Sequence, residues 1–597
     1  MLKRFLFSFL GSMIAIWVSA LVAVLGLIGF IASAIASSAD KSASPVSSRS
    51  ILHIDLSGPI TERNTVPQLR DVLTGNDEIS TGLDEINAAI LAAASDSNID
   101  GIYITADGSS AGIATRYSIL NTLRRFKTIA PEKWIYAYSD SYSQGDYLIA
   151  SAADSIFLNP IGQVDFHGLA ATGMYFRQLL ANLGIQIQVV KVGTYKSAVE
   201  PFLLDSISAP AREQQMLYLS NMWNHLKDAI AEGRAVDAQQ VNDWASSFIF
   251  AESPSYYIEH KIADRLVYEH EMTDILASAT DASKPDLVSV ADYVKAPNVN
   301  GLDKVYSINP DSKTRAKIAI LYAEGDITVD GKDGIASSRI VPEIEDLIDN
   351  SDIDGLILRV NSGGGSAFAS EQIWEALERF KEKTEKPYYV SMGDYAASGG
   401  YYISCGADKI YAEPVTLTGS IGIFGILPNA SKLLNDKIGV HTSTVSTNPG
   451  SDMLVPYKPL TPAQYGAMQR YVDRGYELFV SRCAAGRHTT ADSIKAIAEG
   501  RVWDGAEALR IGLVDELGGL DKAVADMARK LDAEAVTIES YPALESDVWA
   551  MILNASSDLN SQVMSEQLGF FYPHFRAFTD AVNTDPLQCR MQAFEIK

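Results

Sequence analysis

Cysteine is scarce: Cys405, Cys483 and Cys589 are the three in 597 residues. They lie far apart and form no CxxC pair, so neither a zinc site nor a disulfide framework is implied. Histidine is also rare, at eight residues, and there is no HExxH. Metal catalysis has no visible ligand set, and no metal or other cofactor is expected. Positive charge is in deficit, with a net charge of −25. No Lys/Arg-rich run stands against that, which excludes a nucleic-acid partner from the expected ones. Apolar residues are present at an ordinary 47%. The chain is too long for a single core, so two or more domains are expected.

Charge is missing altogether from residues 5–39, behind Lys3 and Arg4. That run exceeds the about 20 residues a spanning helix needs and the roughly 7–15 of a secretory signal. An A-S-A at 32–34 has the form of a cleavage site, but the length of the run favours a retained anchor. The basic pair favours an N-in orientation, with the body outside the cytoplasm. Residues 37–49 form a serine-rich linker. Within it Ser38-x-x-Lys41 matches a β-lactamase-type motif, but with no fold around it.

The body repeats itself. Ile99-Asp100-Gly101-Ile102 resembles Ile353-Asp354-Gly355-Leu356, and Tyr147 resembles Tyr401, both at a spacing of 254. Ile262-Ala263-Asp264 resembles Leu513-Val514-Asp515 at 251. A near-constant offset this long marks a duplicated domain rather than a solenoid. The amino copy carries an insertion at 63–80. Each copy alternates short apolar strand, small-residue turn and amphipathic helix, an α/β architecture with mostly parallel strands. Strands are expected at 355–360, 388–392, 409–412 and 420–424, and a helix at 371–380. The expected organisation is anchor and linker 1–49, amino domain 50–294, linker 295–316, carboxyl domain 317–535 and tail 536–597. Phe570-Phe571-Tyr572 in the tail suits core, oligomer contact or membrane contact equally.

The two copies differ where chemistry is expected. Residues 390–405, V-S-M-G-D-Y-A-A-S-G-G-Y-Y-I-S-C, place Ser398 between two alanines and two glycines, at a strand-to-helix turn. Small neighbours leave the hydroxyl uncrowded, and the helix start favours a developing negative charge. A plain tight turn would look the same. The position matching Ser398 is Gln144, and Ser420 matches Phe166. Gly363-Gly364-Gly365 has no counterpart in D-G-S-S-A-G at 107–112. A base for the serine is less obvious. His441, in the alternating V-H-T-S-T-V, reads as a residue on a strand face, and Asp394 as a turn residue. Lys196 has small and apolar neighbours and matches Gly450 or Ser451, although a lone lysine is usually a surface group.

Five stretches together, R-V-N-S-x-G-G, A-A-S-G-G-Y-Y-I-S, L-T-G-S-I-G-I, Y-K-S-A-V-E-P-F and G-R-V-W-D-G-A-E-A-L-R-I-G-L-V-D-E-L-G-G, resemble the signal peptide peptidase A (protease IV) family in its long, duplicated bacterial form. The resemblance covers nearly the whole chain. It implies two tandem ClpP/crotonase-like (ββα spiral) domains after an N-terminal transmembrane helix. It also implies a serine endopeptidase that degrades cleaved signal peptides and other apolar peptides. Ser398 then matches the nucleophile, Lys196 the general base and Ser420 the serine that hydrogen-bonds the lysine. Gly364, Gly365 and Gly399 fall where oxyanion donors are expected. Gly363 departs from the family's usual proline. The family implies a homotetramer, single-pass in the bacterial inner membrane with its body on the periplasmic side. A neutral lysine near pH 8 requires its pKa to fall by roughly 2–3 units, which burial can supply. Two alternatives remain: an acyl-CoA enzyme of the same superfamily, and a catalytically inert, membrane-tethered scaffold.

Overall fold

Four parallel strands in chain order build each half. In the amino half these are β1 (Ser50–Thr61), β2 (Ile99–Ser110), β3 (Trp134–Tyr142) and β4 (Ser155–Val164). β5 (Gln186–Lys191) follows outside that sheet. In the carboxyl half β6 (Arg315–Glu324), β7 (Gly355–Ser362), β9 (Tyr388–Ala397) and β10 (Lys409–Ala412) repeat the order, and β8 (Gly364–Ser366) branches off after β7. The sheets are buried on both faces, so their strands read as continuous apolar runs such as Ile318–Ala323 and Gly355–Leu358. This computed structural model describes residues 18–19, 26, 44–64, 81–299, 305–307, 312–331, 334–544, 587–592 and 595–596. All but three residues of the apolar run at 5–39, the motifs at 32–34 and 38–41, most of the expected insertion and Phe570–Tyr572 lie outside them. Among the described residues no helix is long and apolar enough to cross a membrane.

The duplication extends to single hydrogen bonds. Tyr147 Oη donates to Ile262 O at 2.8 Å, and Tyr401 Oη to Leu513 O at 3.0 Å. Asp264 accepts from Ile156 N at 2.7 Å, and Asp515 from Ile410 N at 2.8 Å. Buried tyrosine hydroxyls need such partners, and both copies keep the carboxylate pair as well.

Several expected elements differ. The helix α2 (Ala367–Thr384) is longer than 371–380, with Ile373, Trp374, Leu377 and Phe380 on its buried side. No single strand occupies 420–424. The chain leaves β11 (Leu417–Gly419) through Ser420 at φ +51° and re-enters sheet structure at β12 (Phe424–Asn429). His441 is not on a strand: residues 439–448 are irregular and exposed, and alternation alone found no partner. The expected tail begins inside the carboxyl sheet, where Ala535–Tyr541 pairs along β6. Further on, β13 (Gln588–Arg590) lies between β8 and β12 in a sheet that also takes in β5 from the amino half.

Asp394 is no turn residue. It lies on β9, and its carboxylate caps α1 (Ile113–Ile129) of the other half. Oδ1 accepts from Ala114 N at 2.7 Å and Thr115 N at 3.0 Å, and Oδ2 accepts from Thr115 Oγ1 at 2.7 Å. The local N-cap, Gly112, has no side chain to do this, and a Cβ there would lie 2.0 Å from the Asp394 carboxyl carbon. A carboxylate at a helix start is favoured by unpaired N–H groups and by the helix dipole.

Candidate active site

Ser398 joins β9 to α3 (Gly399–Ser404) with φ +58° and ψ −111°, a conformation that costs an L-residue energy. Surrounding bonds hold it there: Ser398 N donates to Gly419 O at 2.8 Å, and Tyr402 N to Ser398 O at 2.8 Å. Only small residues fit beside it. A Cβ on Gly399 would meet Ser370 Oγ at 2.8 Å, and one on Gly400 would meet Ser362 O at 2.6 Å.

Lys196 follows β5 and reaches across from the amino half. Its backbone is anchored by Tyr195 N to Glu499 O at 3.0 Å. Gln214 ties the same point to the carboxyl half, donating to Tyr195 O at 3.0 Å and accepting from Val502 N at 3.1 Å. Gly500, at φ +78°, lies so close that a Cβ on it would fall 2.7 Å from the Lys196 Cβ. Nζ is 2.7 Å from Ser398 Oγ and 3.0 Å from both Oγ and O of Ser420. Lys196, Ser398 and Ser420 are at most 1% exposed. Desolvation pushes the lysine down to about 7, with a small opposing effect from Cys589. That is further than neutrality near pH 8 requires. A neutral amine has two N–H groups and one lone pair. The two Ser420 oxygens take the N–H groups, which leaves the lone pair for the Ser398 proton.

The glycine loop closes the other side. Gly364, at φ +100°, sends its N–H to Ser362 Oγ at 3.1 Å. A Cβ on it would lie 2.0 Å from Cys589 O and 2.7 Å from Gly399 N. A Cβ on Gly365 would meet Ile327 O at 2.0 Å. Gly363 faces open space, so the fold has room there for a larger residue.

The amino copy has filled the equivalent place. Gln144 accepts from His167 N at 3.0 Å and Gly168 N at 2.8 Å. Phe166 packs between Tyr147, Trp223 and Trp244. Gly450 and Ser451, the counterparts of Lys196, are exposed, as is His441.

Sequence reading missed Gly500 and Gln214, whose roles exist only in three dimensions. It also missed Glu62, whose carboxylate enters the carboxyl half to meet buried Arg359 at 2.7 Å and Asn361 Nδ2 at 2.9 Å. Among the described residues no cluster of His, Cys, Asp and Glu is placed to hold a metal ion.

The sequence profile of peptidase family S49 matches residues 127–283 and 380–534. The chain is 33% identical to Protease 4 of Salmonella typhi over 546 residues, 88% of this chain and 85% of that one. It is 36% identical to Protease 4 of Haemophilus influenzae over 409 residues, 66% and 64% of the two chains. It is 27% identical to the chloroplastic serine protease SPPA of Arabidopsis thaliana over 472 residues, 78% and 68%. With two S49 regions and relatives this similar over most of its length, the chain belongs to peptidase family S49 and is a serine peptidase.

Proposed function

We propose that this peptidase works through a Ser398–Lys196 dyad, on two ClpP/crotonase-like units, and degrades cleaved signal peptides and other apolar peptides. One observation carries the reading: a lysine nitrogen, shut off from water, lies 2.7 Å from a serine hydroxyl in a strained turn. The neutral amine takes the Ser398 proton, and Oγ attacks the peptide carbonyl. Backbone N–H groups at Gly365, in the loop with Gly364, and at Gly399, after the serine, receive the oxyanion. The resulting ammonium returns its proton to the leaving amine, and water repeats the cycle on the acyl-enzyme. Ser420 orients the lysine. An acyl-CoA enzyme on the same fold would have no use for the serine–lysine contact.

The apolar run at 5–39 supports a single-pass anchor in the bacterial inner membrane with the body on the periplasmic side. There the enzyme would meet signal peptides as they leave the bilayer. Family resemblance supports a homotetramer.

Ser398→Ala and Lys196→Ala should each fold and lose hydrolysis of casein and of apolar peptides. A fluorophosphonate should label the wild type at Ser398. Strong turnover by folded Lys196→Ala would remove the lysine from the mechanism.

A further inference from the structure

Away from the serine, the two halves enclose a cleft of about 370 Å³. Ser118, Asn121 and Arg125, one stripe of α1 at helical spacing, line its first wall. Lys522, Asp526 and Arg529, one stripe of α4 (Leu520–Lys530), line the second. Arg125 and Arg529 are solvent-exposed at the rim. Deeper in lies Glu413, the residue after β10, which is 4% exposed. Among the described residues its side chain has one hydrogen bond, from Asn121 Nδ2 to Oε2 at 3.3 Å, and Oε1 has none. Oε1 lies against Gly519, at the head of α4. A Cβ there would fall 3.0 Å from it, 3.1 Å from Asp521 Oδ1 and 3.4 Å from Ser118 Oγ. Three oxygens from both halves thus converge on a space that a glycine leaves open. The cations of the cleft are already engaged: Arg125 pairs with Asp521, Lys522 with Glu516 at 2.7 Å and Arg529 with Asp526. Glu413 has no cation of its own among the described residues, which is costly for a buried carboxylate. Burial, and then Asp521, push it up to about 8, against a smaller effect from Arg359, itself paired with Glu62.

We infer that this cleft is a binding site for a small aliphatic diamine, with one ammonium group paired to Glu413 beside Asp521 and Ser118. The donor set selects against other ligands. A divalent metal ion takes about six oxygens or more, and an anion would find every cation of the cleft engaged. The cleft is also longer than one ammonium group. Asp526 is buried, accepts from Tyr411 Oη at 2.8 Å and lies about 7.5 Å of helix rise beyond Asp521. That is the reach of a short diamine, and Arg529, with its side chain 67% exposed, can turn into solvent as the second ammonium arrives. The charged and titratable groups that face Glu413 are Asp521, Arg359 and Tyr117, with Arg125 next along the cleft. An amine arrives protonated at pH 7. The Glu413 carboxyl therefore gives up its proton to solvent as the ion pair forms. Because Ser118 belongs to one half and Glu413 to the other, the bound diamine clips the halves together.

The test is calorimetric titration of putrescine into the full-length protein in detergent at pH 7, in two buffers of different ionisation enthalpy. One equivalent should bind, release roughly one proton and raise the melting temperature. Glu413→Gln keeps the shape and loses the charge, and Gly519→Ala puts a methyl group into the open space. Each should weaken binding about tenfold or more and still hydrolyse casein. No binding at millimolar putrescine overturns the inference, and so does equal binding by the wild type and both variants. Binding without proton release would move the amine away from Glu413 and overturn it as well. Calcium or sodium ions competing equally with putrescine would make the cleft a general cation site and overturn the diamine.

Discussion

Lys196, the base of the proposed dyad, is buried at the expense of stability. Its ordinary pKa is lowered by burial to about 7. Hydrolysis should therefore rise with pH through a limb near 7, read from kcat/KM against pH. A limb that vanished on replacing a histidine would point to a different base. The same shift makes a stability prediction. Between pH 7 and the unfolded pKa of 10.5 the unfolded chain binds a proton that the folded one does not. Stability from this group is thus complete above 10.5 and is lost as pH falls toward 7. Lys196→Met keeps the aliphatic stem and removes the charge. It should be inactive yet more stable at pH 7, by on the order of 4 kcal/mol, with the difference closing above pH 10. Melting curves across that range would check it. Ser398 and Lys196 could be picked out in the sequence because the duplication supplies its own control: each copy lacks what the other has. Gly500 could not, because a glycine that leaves room for a distant lysine looks like any turn glycine.

Among the elements, β9 does two jobs. It ends in Ser398, and four residues earlier Asp394 caps a helix of the opposite half. Asp394→Ala should cost roughly 0.5–2 kcal/mol, with Asp394→Asn recovering most of it, measured as a shift in the denaturation midpoint. A shift no larger for alanine than for asparagine would mean that the cap contributes nothing. The buried parallel strands were legible because both faces are covered and their residues are mostly apolar. The stretch 420–424, expected as a strand, was not, since Ser420 takes a positive φ between β11 and β12. The alternation around His441 misled for the opposite reason. Period-two patterning describes a strand only when a neighbour is there to pair with it.

At the scale of the molecule, the proposed dyad predicts that neither half is an enzyme alone. Lys196 belongs to one and Ser398, Ser420 and the glycine loop to the other, and the contact between halves excludes the water that would keep the lysine charged. Residues 317–531 expressed alone should be inactive even if soluble. Adding a separately made 51–294 fragment should restore some casein hydrolysis where the two dock. Near wild-type turnover by the carboxyl fragment alone would mean that it holds its own base. The two-copy plan was readable from offsets in the sequence. The ion pair of Glu62 with Arg359 that helps join the copies was not, because 297 residues separate the partners.

The seat of Lys196 draws on Ser420, Gly422 and Gly500. A ribosome therefore delivers the proposed base first, the proposed nucleophile next and the last of the walls around the lysine after both. At about 5–20 residues per second, the roughly 300 residues from Lys196 to Gly500 take on the order of 15–60 s. Throughout that interval the lysine remains in water and protonated. The order of synthesis thus works as a delay, and hydrolysis begins only once the enzyme is almost wholly made.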